Sequence, residues 1–229
     1  MTSSRLIRQP LITVSLLSAI VGCSPIYPDK AANADEKPVP DTDIQTFVYE
    51  CPDGYSFVAR TQNDKVWLFL PGETVDLPRV TSASGVKYAA GNITFWSKGD
   101  DALVETADTS HTGCKNNRAR AIWEHAKLNG VDFRATGNEP GWHLEISNRR
   151  DILLVTDYGQ TTYQFKSAIL KSEPHARSAV YNARNQQASV EIVITAAPCH
   201  DSMSGEAFSS TVSILVNGKR LEGCGRPLH

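Results

Sequence analysis

The sequence predicts a mainly β protein: a small antiparallel β-barrel followed by a second domain that is β-rich or α+β. Residues 46–114 alternate apolar and polar side chains in short runs at even spacing, with turn residues between them. Residues 131–229 begin such runs again, after a single stretch with helical spacing. Four cysteines, Cys51, Cys114, Cys199 and Cys224, bracket strand-rich segments of the two halves.

Taken in chain order, the first 22 of the 229 residues read as an export signal. Arg5 and Arg8 precede the apolar run "LITVSLLSAIVG", which is too short to cross a membrane as a mature helix. The run ends in Ile20-Val21-Gly22-Cys23, which resembles the lipobox of bacterial lipoproteins. That resemblance implies that Cys23 is lipidated and becomes the new N-terminus. Ser24, standing where an aspartate would retain the chain at the inner membrane, implies an outer-membrane anchor facing the periplasm. Two or three acyl chains give stable anchoring where one is marginal. Residues 23–45 then comprise the lipidated cysteine and "SPIYPDKAANADEKPVPDTD", a flexible tether with almost nothing to bury.

Export places the four remaining cysteines in an oxidising compartment, where disulfides persist. They allow three pairings. Cys51–Cys114 with Cys199–Cys224 is preferred, because each pair brackets a strand-rich segment; the alternative leaves one pair free or on a metal. The formal net charge is −2. Without Arg5 and Arg8 the mature chain carries 21 basic against 25 acidic residues, a net of −4. No basic patch or nucleic-acid motif is present, so no nucleic-acid partner is expected, and long-range steering would favour a basic partner.

Strand-like pieces of the first half are "FVYEC", "YSFVART", "KVWLFL", "VDLPRV", "VKYAA", "ITFWSKG" and "ALVET", separated by Pro-Asp-Gly, Gln-Asn-Asp, Pro-Gly-Glu, Gly-Asn and Gly-Asp-Asp. A chain this small is expected to close such strands into a barrel, leaving no open edge. A Cys51–Cys114 bond would staple first strand to last. "NNRARAIWEHAKLNG" predicts one helix within 118–130, capped by Asn117, with Ile122, Ala126 and Trp123 as its apolar stripe and Gly130 as its stop. Residues 131–229 offer "VDFRATG", "GWHLEI", "DILLVTD", "TTYQFKSA", "ASVEIVITA", "FSSTVSILVNG" and "KRLEGCG" as strands, while "KSEPHARSAVYNARNQQ" reads as polar loop. No period unites the halves, so they read as different modules rather than a repeat.

The stretch "TSASGVKYAAGNITFWSKGD" reads as a hairpin with a Gly-Asn turn and two polar corners, Ser84 before Gly85 and Lys98 before Gly99. By composition alone the serine is a turn residue and the lysine a solvated strand end. Phe95 and Trp96 point to opposite faces, Phe95 being the better core residue. "YECPDG", "SASGVKY", "GNITFWSKGDDA" and "HTGC", in that order, resemble the C-type lysozyme inhibitors, the MliC/PliC-like family, over about residues 46–117. The resemblance implies an eight-stranded antiparallel β-barrel that binds C-type lysozyme and is not an enzyme. It assigns Ser84 and Lys98 to the loop that enters the lysozyme cleft, with Tyr88 beside them. Lys87 lies in the same segment and is the rival cation.

The second half, residues 131–229, resembles an exported lipoprotein domain, loosely of the META/HslJ group, and no activity comes with that likeness. Glu139 in "GNEPGW" reads as part of a shaped turn with Trp142 packed behind it, rather than as a catalytic carboxylate. Cys199-His200-Asp201, with Met203 and Cys224, has the ligand types of a metal site, against which stands the disulfide reading. His125, His143 and His175 fall at no ligand spacing, and no Ser-His-Asp order, phosphate loop or zinc helix occurs. No cofactor and no metal is therefore expected. The competing functional reading is a ligand- or metal-binding envelope lipoprotein in which the second half is the working module.

Overall fold

In the computed structural model, residues 44–229 are described; the signal segment, Cys23 and the tether up to residue 43 lie outside the described residues, and Gln45, read as the end of the tether, already belongs to the first strand. Eight antiparallel strands come first: β1 (Gln45–Glu50), β2 (Ser56–Gln62), β3 (Lys65–Leu70), β4 (Glu73–Val80), β5 (Val86–Ala90), β6 (Ile93–Lys98), β7 (Asp101–Glu105) and β8 (Ser110–Asn116). They pair in chain order and close β8 back onto β1. Alternation sends every second side chain inward, as in β3, where Val66, Leu68 and Leu70 are buried between less buried neighbours. The aromatic rings of Tyr49, Phe57, Tyr88 and Phe95 fill the interior, with centroids 5.3–6.0 Å apart. Burial pushes the Tyr49 hydroxyl up to about 12, against a hydrogen bond to the Ser97 side chain that favours the phenolate.

Closure is uneven around the barrel. β1 pairs with β2 at six positions but with β8 at only two, Tyr49 with Asn116 and Glu50 with Lys115. The Cys51–Cys114 disulfide sits at this seam. Cys114 lies within β8, a strand beyond the seven runs read from the sequence, which end at "ALVET". Of the seven residues in β8 only Cys114 is buried, so no alternation marks the strand.

Helix α1 (Arg118–Leu128) follows at once. The Asn117 side chain accepts from the Arg120 backbone N–H at 3.1 Å and caps the first turn. The buried residues are Ala121, Trp123 and Ala126, whereas Ile122, expected in the apolar stripe, is 53% exposed. α1 packs on two partners at once. It contacts β1, where His125 bonds Thr46, and its Trp123 ring lies 5.2 Å from the Phe208 ring and 4.4 Å beneath the Arg226 guanidinium. Ile122 instead lines an open groove together with Phe47, Gly99 and Asp100.

Two carboxylates hold the N-terminal turn of α1 to the barrel. Glu50 accepts from Arg120 at 2.5 Å and from the Asn117 side chain, and Asp100 accepts from Arg118 through two bonds of 3.0 and 2.8 Å. Each arginine's hydrogen bond holds its partner's carboxyl below the usual carboxylate range. A depressed folded-state value stabilises above the unfolded-state value, near pH 4, and the contribution is lost as pH falls through the folded-state value. Amide exchange in α1, corrected for intrinsic rate, is therefore expected to accelerate relative to the sheet interior below about pH 4. Equal protection of helix and sheet down to about pH 2.5 would contradict this attachment.

The remaining strands are β9 (Val131–Asn138), β10 (Gly141–Ser147), β11 (Asp151–Thr156), β12 (Thr161–Phe165), β13 (Ile169–Glu173), β14 (Ser178–Arg184), β15 (Ser189–Thr195), β16 (Cys199–His200), β17 (Ala207–Phe208), β18 (Ser210–Val216) and β19 (Lys219–Pro227). Nine of them form one antiparallel sheet in the order β12-β11-β10-β9-β19-β18-β15-β14-β13, and β16 with β17 makes a separate ribbon. β12 and β13 stand at opposite edges yet are joined by residues 166–168 alone. A flat sheet of nine strands would separate its edges by roughly 38 Å, while that link spans at most roughly 14 Å. The sheet is therefore rolled around its own core, which includes Trp142, Leu144, Ile146, Leu154, Ile192, Ile214 and Leu221.

β13 and β14 occupy the segment read from sequence as loop. Most of their residues are exposed or only half-buried, and Tyr181 and Ala183 pack against the core among polar neighbours, so composition hides the strand. Trp142 lies behind the Glu139–Pro140 turn, whose peptide bond is cis, and is 4% exposed. Gly137 and Gly223 flank its indole so closely that a Cβ on either would collide with the ring.

Candidate functional site

In an antiparallel barrel with consecutive strands, alternate connections emerge at the same end. The β2–β3 turn, the β4–β5 loop at residues 81–85 and the β6–β7 turn at residues 99–100 thus share one rim. Ser84 lies in the loop and Lys98 is the last residue of β6; both are exposed. The β5–β6 register pairs Val86 with Ser97, which sets the serine loop against the end of the lysine strand.

The loop is held from beneath. The Ser84 carbonyl accepts from the Trp96 indole N–H at 2.8 Å and from the Ser82 hydroxyl at 2.7 Å. Among the described residues, nothing takes up the Ser84 hydroxyl itself. Gly85 makes the approach feasible: its φ is +68°, and a Cβ there would stand 2.5 Å from the Ser97 carbonyl oxygen and 3.0 Å from the indole. Both demands exclude a larger residue. Gly85→Ala is therefore expected to displace the loop and weaken partner binding on the order of tenfold, while the melting temperature falls only slightly, because the strain of about 1–3 kcal/mol can be released by the exposed loop. Unchanged binding by the alanine variant would mean that this loop conformation is not the one used.

Lys98 pairs with Asp101 in the β6–β7 register, but both nearby carboxylates are engaged elsewhere. Asp101 forms an ion pair with Lys115 across β7 and β8, and Asp100 holds Arg118 from α1. Among the described residues, Lys98 has no salt bridge, so its ammonium remains open to a partner. Lys115 and Arg118 were not singled out in the sequence. The signal for them was the Asp100-Asp101 pair directly after the Lys98-Gly99 corner, two like charges that need counter-ions, but which cations serve them is set by β8 pairing and helix docking.

The other predicted residues fall elsewhere. Tyr88, grouped with Ser84 and Lys98 in the sequence, is 4% exposed and lies inside the barrel on the strand that follows the serine loop, its ring 6.0 Å from that of Phe95. Burial pushes its hydroxyl above the ordinary phenol range. Lys87 is half-buried on the outer wall of β5, opposite Trp96 and back from the strand end. Cys199 and Cys224 are bonded to each other, which removes the two thiolates that a metal site there would use. One Asp201 carboxylate oxygen accepts from the Met203 and Ser204 backbone N–H groups and the other from Asn138, as a turn cap does. His125 bonds the Thr46 hydroxyl at 3.0 Å through one ring nitrogen and the Asn129 side chain at 2.8 Å through the other.

Residues 49–112 match the family described as membrane-bound lysozyme-inhibitor of c-type lysozyme. A protein of Yersinia enterocolitica serotype O:8 / biotype 1B, named membrane-bound lysozyme inhibitor of C-type lysozyme, is 44% identical over 63 residues, which cover 27% of this chain and 53% of that protein. The chain thus spans about half the length of the curated relative it matches. No solved structure matches the chain. The matched span contains Cys51, Ser84 and Lys98 and ends two residues before Cys114.

Proposed function

We propose that the chain is an envelope lipoprotein, anchored in the outer membrane through Cys23 and facing the periplasm, whose barrel binds and inhibits C-type lysozyme. The observation that carries the reading is the match over residues 49–112 on a closed barrel whose rim displays Ser84 and Lys98. The protein acts as a plug and not as an enzyme, and so protects peptidoglycan.

Lysozymes cut with two carboxyl groups, one protonated as general acid and one ionised. A cleft built that way attracts cations. Lys98 brings a compact ammonium with three donors to the ionised carboxylate. The Ser84 hydroxyl both donates and accepts, so it suits the second carboxyl in either protonation state. Neither group contains a bond that the enzyme can cleave. Lys115 and Arg118 serve as positioning residues, because they occupy the carboxylates that would otherwise draw Lys98 back onto its own barrel. Tyr88 and Phe95 support the hairpin from within, and Trp96 supports the loop from outside.

Titration of a C-type lysozyme with the mature, disulfide-intact protein tests the proposal. Stoichiometric loss of wall-lytic activity is expected; full activity at micromolar inhibitor would refute it.

A further inference from the structure

We infer that the groove between the barrel, α1 and the outer face of the nine-stranded sheet is a second contact surface for the same lysozyme, with Ile122 as its apolar anchor. The inference rests on the lysozyme reading above and extends it to a part of the chain outside the matched span. The groove has a volume of about 550 Å³ and is lined in part by Phe47, Gly99, Asp100, Arg118, Ala121 and Ile122.

Continuity with the rim identifies the occupant. Gly99 and Asp100 line the groove, and Gly99 directly follows Lys98. A stable protein–protein contact buries about 800 Å² on each partner, a disc of roughly 16 Å radius. A contact of that size centred on Lys98 overlaps the groove, whose lining includes the next residue, Gly99.

The groove is suited to an apolar side chain. Ile122 is 53% exposed on a helix whose other apolar contacts are made, and it faces this opening. The charges around it are already paired within the chain: Asp100 with Arg118, and Arg134 with Glu145. A partner side chain entering there strands none of them, which removes the main cost of covering charged groups.

Inhibition constants of the mature chain carrying Ile122→Asp, Ile122→Gln, Lys98→Ala or Ile169→Asp test the inference. Ile169 is 64% exposed on the β13 edge and serves as a control for surface charge alone. Ile122→Asp is expected to raise the inhibition constant on the order of tenfold, Ile122→Gln to do so to a smaller extent with helix content unchanged, and Ile169→Asp to have no effect. If both Ile122 variants inhibit like the parent while Lys98→Ala does not, the groove inference falls and the rim reading stands. If the parent fails to inhibit, both fall. If the Ile122 variants alter only sedimentation of the chain, the groove accommodates a second copy of the protein and the inference is overturned.

Discussion

Lys98→Ala is expected to raise the inhibition constant against C-type lysozyme by about 30-fold to several thousand-fold, which corresponds to a loss of about 2–5 kcal/mol for truncating one partner of a buried charge pair. The size follows from what is left behind. In the complex, the enzyme's carboxylate would be covered without a counter-ion, and an uncompensated covered charge is costly. The loss should appear mainly as faster dissociation. Ser84→Ala removes a neutral partner and is expected to cost about 1 kcal/mol, roughly fivefold. Lys87→Ala separates the two candidate cations. Lys87 lies on the wall opposite Trp96, half-buried, so its removal is expected to change the constant less than about threefold. A large loss with Lys87→Ala and none with Lys98→Ala would reverse the assignment.

Removing the barrel disulfide, as Cys51→Ala with Cys114→Ala, is expected to cost about 4 kcal/mol, the chain-entropy value for the 63-residue separation. The local consequence is larger than the number suggests. Only two residue pairs join β1 to β8, helped by the Val48 backbone bonds to the Asn116 side chain and the Asn117 N–H, so without the disulfide the seam rests on a short ladder that can open into two edges. Urea unfolding followed through the barrel should shift its midpoint by more than about 1 M, exchange should rise in β1 and β8, and inhibition should be lost with them. The Cys199–Cys224 bond closes a 25-residue separation and ties a two-residue strand to β19. Its removal leaves the rim untouched and should leave inhibition intact. An open-seam variant with unchanged midpoint and inhibition would show that the β1–β8 ladder closes the barrel unaided.

Much of the barrel could be read from the chain because its strands are half-buried: one face meets the core and the other meets water, so hydrophobicity alternates. Where that contrast fails, the reading fails. β8 has a single buried residue, β13 mixes polar residues into both faces, and β14 offers its core side only Ala179, Tyr181 and Ala183, none of them fully buried, so the period-2 signal is weak in all three. Ile122 was misplaced for the opposite reason. Its apolar side chain suggested burial, but the helix is held between two bodies and Ile122 faces the gap between them.

The sequence by itself determined the alternating strands, the helix with its Asn117 cap, the cysteines and the Ser84-Gly85 and Lys98-Gly99 corners, because these depend on local chemistry and short spacing. It also carried the family likeness from which the proposed role of the two corners comes. Only the tertiary structure decided that Tyr88 lies inside, that Lys115 and Arg118 occupy the carboxylates near Lys98, and that α1 opens a groove beside the rim. Those features depend on which strands meet at the barrel seam and on what a helix docks against, contacts between residues distant in the chain that no local pattern encodes.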